Sequence, residues 1–330
     1  MTKICSDEHW RNIRVNPMLH LAVVVIVLAG CGSASLALET VSRGKANPWS
    51  AADFNNDAEN FQFAIVADRT GNMRKGVFSS AIEKINLLRP EFVIGVGDFI
   101  EGYTDDAVEL DRQWSEFDDI LKKLDMRFFF VPGNHDIAGG LMLEKWRSRF
   151  GDSYYHFLYR GVLFLCLDTE TARTDGVPGA IGAAQVEYFR TVLEANPSPR
   201  WILVFMHRPL WKDRDEDFAK FEKLLAGRRY TVFAGHEHRY QKQLRGGQKY
   251  FTLATTGGAS LMSGPEEGFF DHFVWVTMSE KGPVIVNIAV DCVYSEDVGF
   301  SAKNLESHLH FQHFACDCRF DKAVKLDKPL

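Results

Sequence analysis

Two spacings of apolar residues alternate along the chain from residue 61 onward. Short apolar runs bounded by polar residues predict buried strands at 62–67, 92–96 and 127–131. Apolar residues recur every three to four positions at 77–88 and 106–124, which predicts a helix after each of the first two strands. The second half repeats this order, with strands predicted at 162–167, 201–206 and 231–234 and helices at 185–193 and 217–225. Such alternation indicates an α/β sheet.

Side chains that commonly bind metals follow five of these strands. The strands run into Asp68, Gly97-Asp98, Gly133-Asn134-His135-Asp136, His207 and Gly235-His236-Glu237-His238. Taken singly, each has an ordinary structural explanation, because Asp caps helices, Gly-Asn forms turns and a lone His is most often a core or surface residue. Sites in α/β sheets assemble at the carboxyl ends of the strands. Five such endings in series therefore predict a metal site at one edge of the sheet.

Composition and charge narrow the class of protein without identifying it. The 330 residues are 46% hydrophobic and 25% charged, as in an ordinary globular protein, and the net charge is −6. Nucleic-acid-binding surfaces concentrate Lys and Arg, and no such cluster is visible in the sequence. No nucleic-acid partner is therefore expected.

The first thirty residues have the pattern of a targeting segment. Basic residues precede an apolar run at 18–30, which is shorter than the roughly 20 residues needed to span a bilayer and is typical of a secretory signal. Leu28-Ala29-Gly30-Cys31 resembles the bacterial lipobox, in which the signal is cut before a Cys whose thiol is then lipidated. The resemblance implies an exported bacterial lipoprotein, anchored in a membrane through Cys31 on the periplasmic side or at the cell surface. The alternative is an ordinary buried Cys in an apolar helix.

From residue 61 to about 290 the chain resembles the calcineurin-like metallophosphoesterases, in which the same motifs occur in the same order. The resemblance implies a four-layer α/β/β/α sandwich of two mixed sheets flanked by helices. It also implies a dinuclear centre that hydrolyses phosphate monoesters or diesters with a metal-activated water. The ligands would be Asp68, Asp98 and His238 for the first ion, and Asp98, Asn134, His207 and His236 for the second. Oxygen and imidazole ligands of this kind suit Mn, Fe or Zn.

The resemblance also gives roles to four further residues. His135 would protonate the leaving group, and Glu101 stands where the family commonly places the carboxylate that orients this His. Arg69 and Arg208 adjoin metal motifs and could neutralise charge on the phosphoryl oxygens of a bound substrate. For each Arg, an outward-facing salt bridge is an equally open interpretation.

One position departs from the family pattern. The first motif is usually Asp-x-His, and Thr70 takes the place of that His. The first ion would therefore lack an imidazole ligand, which leaves its affinity and identity open. Thr70 also keeps open an alternative function, a lipoprotein that binds metal or a phosphorylated ligand without turnover. Purple acid phosphatases lack the same His and supply a Tyr three residues after the Asp of their Gly-Asp motif; that position is Glu101 here, and Tyr103 is not assigned as a ligand.

The chain is accordingly divided into a signal peptide (1–30), a lipidated Cys with a flexible tether (31–60), a metallophosphoesterase domain (61–295) and a C-terminal tail (296–330). In the domain, strands at 250–254, 274–278 and 284–290 would complete the second sheet. Loops at 100–112, 137–160 and 168–184 would select the substrate.

The C-terminal tail leaves two alternatives open, a zinc site or a disulfide. The residues concerned are His308, His310, His313, Cys316, Cys318 and, for the disulfide, Cys292.

Two residues inside the domain have a structural interpretation. Cys166 lies within an apolar strand and is expected to be a buried free thiol. His272 precedes the predicted hairpin strands and is expected to have a structural role.

Overall fold

The computed structural model describes residues 59–171, 179–213, 215–289 and 292–299. The signal peptide, nearly all of the tether and the His- and Cys-containing tail lie outside these ranges, so the statements about them stay predictions. Within the described ranges, no helix combines the length and the apolar character that crossing a membrane requires.

The first sheet is built around three parallel strands. In the described part of the chain its six strands follow the order β12-β11-β10-β1-β2-β3. β1 pairs in parallel with β2, and β2 with β3, whereas β10 runs antiparallel to β1 and forms a hairpin with β11. The strands are β1 Phe61–Val66, β2 Phe92–Gly95, β3 Arg127–Phe130, β10 His272–Ser279, β11 Gly282–Ala289 and β12 Val293–Ser295.

The second sheet has four parallel strands with an antiparallel strand at each edge. Among the described residues its order is β4-β5-β6-β7-β9-β8. β5, β6, β7 and β9 are parallel neighbours, and β4 and β8 run antiparallel to β5 and β9. The strands are β4 Tyr155–Tyr159, β5 Val162–Cys166, β6 Trp201–Phe205, β7 Tyr230–Ala234, β8 Gln241–Arg245 and β9 Gln248–Thr252.

Helices cover the outer face of each sheet. The described helices are α1 Val77–Leu88, α2 Ala107–Leu121, the single turn α3 Asn134–Ile137, α4 Gly140–Phe150, α5 Gly182–Ala195 and α6 Glu216–Leu224, with a short 3-10 turn at Pro265–Glu267. α1, α2 and α4 bury Phe78, Trp114 and Trp146 against the first sheet. α5 and α6 bury Phe189 and Phe221 against the second sheet. The layers are therefore helix, sheet, sheet and helix.

The core between the two sheets is rich in aromatic residues. Phe63 of the first sheet and Phe164 and Phe205 of the second are fully buried there, and the ring centroids of Phe63 and Phe164 lie 5.6 Å apart. Burying a side chain of this size contributes about 1.5–3 kcal/mol. This apolar interior holds the two sheets face to face, and the candidate site lies at the strand ends where both sheets meet.

The predicted four-layer fold is confirmed, with two differences in detail. The β10–β11 hairpin extends the first sheet beside β1, whereas it was expected in the second sheet. The strand was predicted at 274–278, but nothing local in the sequence specifies which strand it pairs with. In addition, α4 occupies much of the segment predicted as a loop at 137–160. Its buried Met142 and Trp146 are four residues apart, which is the helical signal that this prediction missed.

Buried polar groups away from the site agree with their structural interpretation. His272 is 3% exposed; its Nε2 accepts from the Ala254 N–H at 3.1 Å and its Nδ1 lies 2.9 Å from Asn287 Oδ1. Burial lowers the pKa of His272 to about 4, so the ring is neutral. Cys166 is a buried free thiol, and Cys292 is free among the described cysteines.

Candidate metal centre

The predicted ligands come together from both sheets. Asp68, Asp98 and Asn134 follow β1, β2 and β3, and the two His motifs follow β6 and β7. Hydrogen bonds join the sheets here: for example, His207 Nδ1 lies 2.8 Å from the Val96 carbonyl, and the His236 N–H donates to Asp68 Oδ1 at 2.9 Å. The sequence placed these residues at strand ends; the contacts between the sheets place them around one point.

The first group of ligands is Asp68, Asp98 and His238, whose donor atoms all lie within 4.8 Å of one another. His238 Nε2 is 3.3 Å from Asp68 Oδ1, and His238 Nδ1 is 2.6 Å from the Ala259 carbonyl. Because that carbonyl can only accept, Nδ1 carries a proton and Nε2 faces the carboxylates. Thr70, the residue that replaces the family's His, is fully buried.

The second group is Asp98, His207 and His236, again with donor atoms within 4.8 Å of one another. His207 Nε2 lies 3.3 Å from Asp98 Oδ2, 2.9 Å from Asn134 Oδ1 and 3.2 Å from His236 Nδ1. The Val96 carbonyl takes the Nδ1 proton of His207, so its Nε2 faces these three atoms. Asp98 belongs to both groups, which is the arrangement expected of a residue shared by two ions.

The buried carboxylates of this site favour the binding of cations. Asp68 is fully buried and its Oδ2 has no hydrogen-bond partner among the described residues. A buried, unpaired carboxylate oxygen is costly unless a cation neutralises it. A Cβ atom on Gly235 would overlap this oxygen, so the chain keeps the space beside it open. Burial opposes charge on Asp98, but the neighbouring His207 more than offsets it and the pKa of Asp98 lies at about 2.

Four of the candidate ligands have backbone conformations that L-amino acids rarely adopt. The φ angles of Asp68, Asp98, His236 and His238 are 22°, 61°, 73° and 53°. Non-glycine residues with positive φ are uncommon, and such strain concentrates at functional sites where the surrounding structure enforces it. The sharp turns that hold these residues therefore lie where their donor atoms come together.

Asp136 fixes the relative position of two of the ligand loops. Its buried carboxylate accepts backbone N–H groups of Asp98, Phe99 and Gly133 at 2.8–2.9 Å, with Ile100 at 3.3 Å. Burial and the charge of Asp98 raise the pKa of Asp136 to about 7. In the sequence Asp136 stands next to His135, but nothing there predicts that its carboxylate joins the loop after β2 to the loop after β3 by hydrogen bonds.

His135 lies at the centre, but Glu101 does not orient it in the expected way. His135 Nδ1 is 2.6 Å from the backbone carbonyl of Glu101, whereas the Glu101 carboxylate accepts the N–H groups of Asn72 and Met73 at 3.2 and 2.8 Å. The prediction that the carboxylate contacts His135 is therefore wrong. The turn after Glu101 directs its carbonyl inward and its side chain toward the loop after β1. The other ring nitrogen, Nε2, faces Gly71 on the side where His238 also lies.

Arg69 is buried, and its guanidinium contacts helix α2 and the loop after β2. Its guanidinium donates to the Phe99 carbonyl at 2.6 Å and to Glu116 at 3.0 Å, and it is 4% exposed. It also lies over the ring of Phe117, 5.6 Å from its centroid. Arg69 is thus buried between the loop after β1 and helix α2, where it forms an ion pair with Glu116.

Arg208 does reach the centre. Its Nε donates to both carboxylate oxygens of the buried Glu170, at 2.9 and 3.1 Å, and its Nη1 lies 2.7 Å from His236 Nε2. Glu170 belongs to the loop after β5, within the segment 168–184 that was expected to select the substrate, but the sequence singled out no residue in that loop. The Arg208–Glu170 ion pair therefore places a guanidinium, whose charge Glu170 offsets, beside His236 of the second group.

Tyr103 is a third residue, after Asp136 and Glu170, whose contacts at the site the sequence did not reveal. Its phenol oxygen accepts from Asn134 Nδ2 at 2.8 Å, and its ring stands nearly perpendicular to the ring of His135 with centroids 4.7 Å apart. Spacing from Asp98 alone excluded it, because the turn that returns Tyr103 to the site has no simple sequence signature.

Two mixed sheets carrying two ligand groups that share an Asp define the metallophosphoesterase class of protein. The family profile described as calcineurin-like phosphoesterase matches residues 4–240. The chain belongs to the calcineurin-like phosphoesterase family. The predicted family and fold are thereby confirmed.

Individual relatives are more distant. The chain is similar to the serine/threonine-protein phosphatase CPPED1 of Danio rerio, with 28% identity over 181 residues that cover 48% of this chain and 58% of the relative. It thus spans little more than half of that relative's length. The same phosphatase of Mus musculus is 26% identical over 233 residues, covering 61% of this chain and 74% of the relative.

Solved structures support the fold. A dimetal phosphatase from Danio rerio superposes with a TM-score of 0.54 at 15% identity, covering 72% of this chain and 99% of that one. GAP50 of Plasmodium, described as the anchor in the inner membrane complex, gives a TM-score of 0.53 at 16% identity, covering 75% and 94%. At these identities the likeness concerns the fold alone.

Proposed function

We propose that this protein is a dinuclear, metal-dependent hydrolase of phosphate esters. The observation that carries the proposal is the pair of ligand groups that share Asp98. Family membership and the serine/threonine-protein phosphatases among its relatives support the same chemistry.

The residues would divide into two sets. Asp68, Asp98 and His238 would hold the first ion, and Asp98, Asn134, His207 and His236 the second. Bound there, the ions would polarise the phosphoryl oxygens and lower the pKa of a water molecule, so that a nucleophile exists near neutral pH. Imidazole and carboxylate ligands favour Mn, Fe or Zn.

His135 would act on the leaving group. The Glu101 carbonyl fixes its Nδ1–H and so directs Nε2 toward the centre. A protonated Nε2 in that position would donate its proton to the departing alkoxide oxygen, which completes the cleavage of the P–O bond.

Arg208 would bind the phosphoryl group. A His236 that offers Nδ1 as a ligand carries its proton on Nε2, which then no longer accepts from Arg208. The guanidinium, still held by Glu170 through Nε, is free to donate to a phosphoryl oxygen. Buried Glu170 keeps the guanidinium in place and offsets its charge.

The direct test is a panel of aromatic and alkyl phosphate monoesters and diesters, with phosphoserine and phosphothreonine peptides, assayed with Mn²⁺, Fe or Zn²⁺. We expect His135→Ala to lower kcat by about 10²–10⁴ while both ions stay bound. His156→Ala is the matched control, because that His contacts Tyr188 on the protein surface and should leave kcat unchanged. A wild-type protein that binds metal but cleaves none of these esters contradicts the proposal.

We also propose that the enzyme is exported and tethered to a membrane by a lipidated Cys31. The apolar run at 18–30 and the Leu28-Ala29-Gly30-Cys31 motif support this. In a bacterial host, the wild type should take up labelled fatty acid and sediment with membranes, and Cys31→Ala should do neither. Equal labelling of the two proteins would overturn the assignment.

A second candidate function is binding without turnover, and Thr70 is the observation that favours it. The first ligand group lacks the imidazole usual in the family, and the buried Thr70 stands in its position. The same ester panel separates the two functions, since a binding protein would retain metal or phosphate and release no product.

A further inference from the structure

The turn at Gly102-Tyr103 is held in an unusual conformation beside the candidate centre. Gly102 has a φ of 59°, and a Cβ atom there would overlap the backbone carbonyl of His135. Tyr103 itself has a φ of 48°, which is rare for a large side chain. The Gly102 N–H donates to Gln113 Oε1 at 2.8 Å, which anchors the turn to helix α2. Strain that is enforced in this way at a site points to a role for the residue it positions.

The turn holds two adjacent residues of the centre at once. The Glu101 carbonyl fixes the ring of His135, and the Tyr103 phenol oxygen accepts from Asn134 Nδ2 at 2.8 Å. The Tyr103 ring also packs against the His135 ring, with centroids 4.7 Å apart. Yet Tyr103 is 58% exposed, so its contacts with Asn134 and His135 contribute little to the hydrophobic core.

The contact with Asn134 has a chemical consequence. An amide has one end that accepts and one end that donates, and only its oxygen can bind a cation. With Nδ2 held by Tyr103, Oδ1 lies 2.9 Å from His207 Nε2, among the atoms of the second group. A rotation of the amide by half a turn would place an NH2 group there instead.

We propose that Tyr103 is a positioning residue for the second ion: its phenol oxygen fixes the Asn134 amide so that Oδ1 faces His207 and Asp98. This deepens the proposed function, on which it rests. Partners that orient metal ligands in this way commonly change metal affinity by 10–100-fold when they are removed.

The test is metal binding by Tyr103→Phe, which keeps the ring and removes the oxygen. Metal-free protein is titrated with Mn²⁺ by isothermal titration calorimetry. The number of metal ions bound per chain is measured by inductively coupled plasma mass spectrometry. We expect one of the two ions to bind about tenfold more weakly and the other to bind as in the wild type. At saturating Mn²⁺, kcat should return to near the wild-type value. Tyr188→Phe is the matched control, because its hydroxyl also contacts a His, 2.7 Å away, outside the centre.

The same Tyr103→Phe substitution, made in the Asn134→Asp variant, distinguishes a role in orienting the Asn134 amide from a general loss of structure. In Asn134→Asp, both ends of the side chain are oxygens, so either rotamer presents a ligand atom. Tyr103→Phe should therefore weaken binding less in this background than in the native one. An equal loss in both backgrounds, or unchanged binding of both ions by Tyr103→Phe, would overturn the proposal.

The result of the metal titration does not depend on whether the protein hydrolyses phosphate esters. If the wild type binds two ions but cleaves no ester, the proposed function fails while the titration still decides the role of Tyr103. If the wild type binds no metal at all, both fail.

Discussion

The two halves of the candidate centre share Asp98 but are built differently. The second group lies between the sheets: His207 is fully buried and Asn134 is 6% exposed. The first group depends on His238, whose side chain is 19% exposed and whose Nδ1 is held by the loop that carries Ala259. Exposed Leu261 and Met262 follow in that loop.

The halves also differ in how their ligands are supported. In the second group, Asn134 and His207 each have a further partner, which is the Tyr103 phenol for Asn134 and the Val96 carbonyl for His207. In the first group Asp68 Oδ2 has no partner among the described residues, and Thr70 stands where the family has an imidazole. Because oriented ligands bind metals more tightly, we infer that the two ions differ in affinity, with the second ion the tighter.

The largest effect should come from the residue that both halves share. Asp98→Asn removes the charge that both ions need, and we expect it to lower kcat/KM by at least about 10³, since each ion contributes several kcal/mol to catalysis. Elemental analysis should show loss of both ions. A variant that keeps one ion at wild-type affinity would show that Asp98 is not shared.

A matched pair of His variants should separate the halves. His207→Ala should lose the second ion and keep the first, and His238→Ala should do the reverse. Each lost affinity should exceed the roughly 100-fold typical of removing an outer partner of a ligand. Thermal unfolding in the absence of metal checks that both variants remain folded. Loss of the same ion in both variants would contradict the division into two groups.

Restoring the family's imidazole should sharpen the comparison. Thr70→His should raise the affinity of the first ion by about tenfold, by adding a nitrogen ligand. Thr70→Val keeps the shape without a ligand and is the control, with no change expected. Because Thr70 is fully buried, unfolding temperatures of both variants should be recorded beside the titrations. A folded Thr70→His variant with unaltered affinity would mean that the position does not face the ion.

The smallest effect should come from the support of Arg208. Glu170→Gln leaves the guanidinium charge uncompensated beside His236, so we expect the second ion to bind more weakly by about 1 kcal/mol. Glu187→Gln, which breaks an exposed pair with Arg190, is the control with no expected change. Tighter binding by Glu170→Gln would contradict the role given to the pair.

The candidate ligands were predictable from the sequence, whereas the residues that orient them through hydrogen bonds were not. Asp68, Asp98, Asn134, His207 and the two His residues after β7 could be predicted because each follows an apolar strand. The supports depend on contacts that no local pattern records. The Glu101 carboxylate was assigned by position, but the left-handed turn after it brings its carbonyl to His135 instead.

The pairing of β10 with β1 shows the same limit at the level of the fold. The sequence predicted the strand, but its partner is set by the packing of the two sheets. Likewise Arg69 and Arg208 looked equivalent in sequence, each directly after a ligand. Burial beside Glu116 turns the first away from the centre, and Glu170 holds the second within it.

The most direct test is crystallography of the metal-free protein soaked in increasing concentrations of Mn²⁺, with anomalous scattering to locate the ions. We predict that a first peak fills among Asp98, Asn134, His207 and His236 and that a second fills among Asp68, Asp98 and His238 only at higher concentration. A single peak at saturation, or filling in the opposite order, would contradict an uneven dinuclear centre.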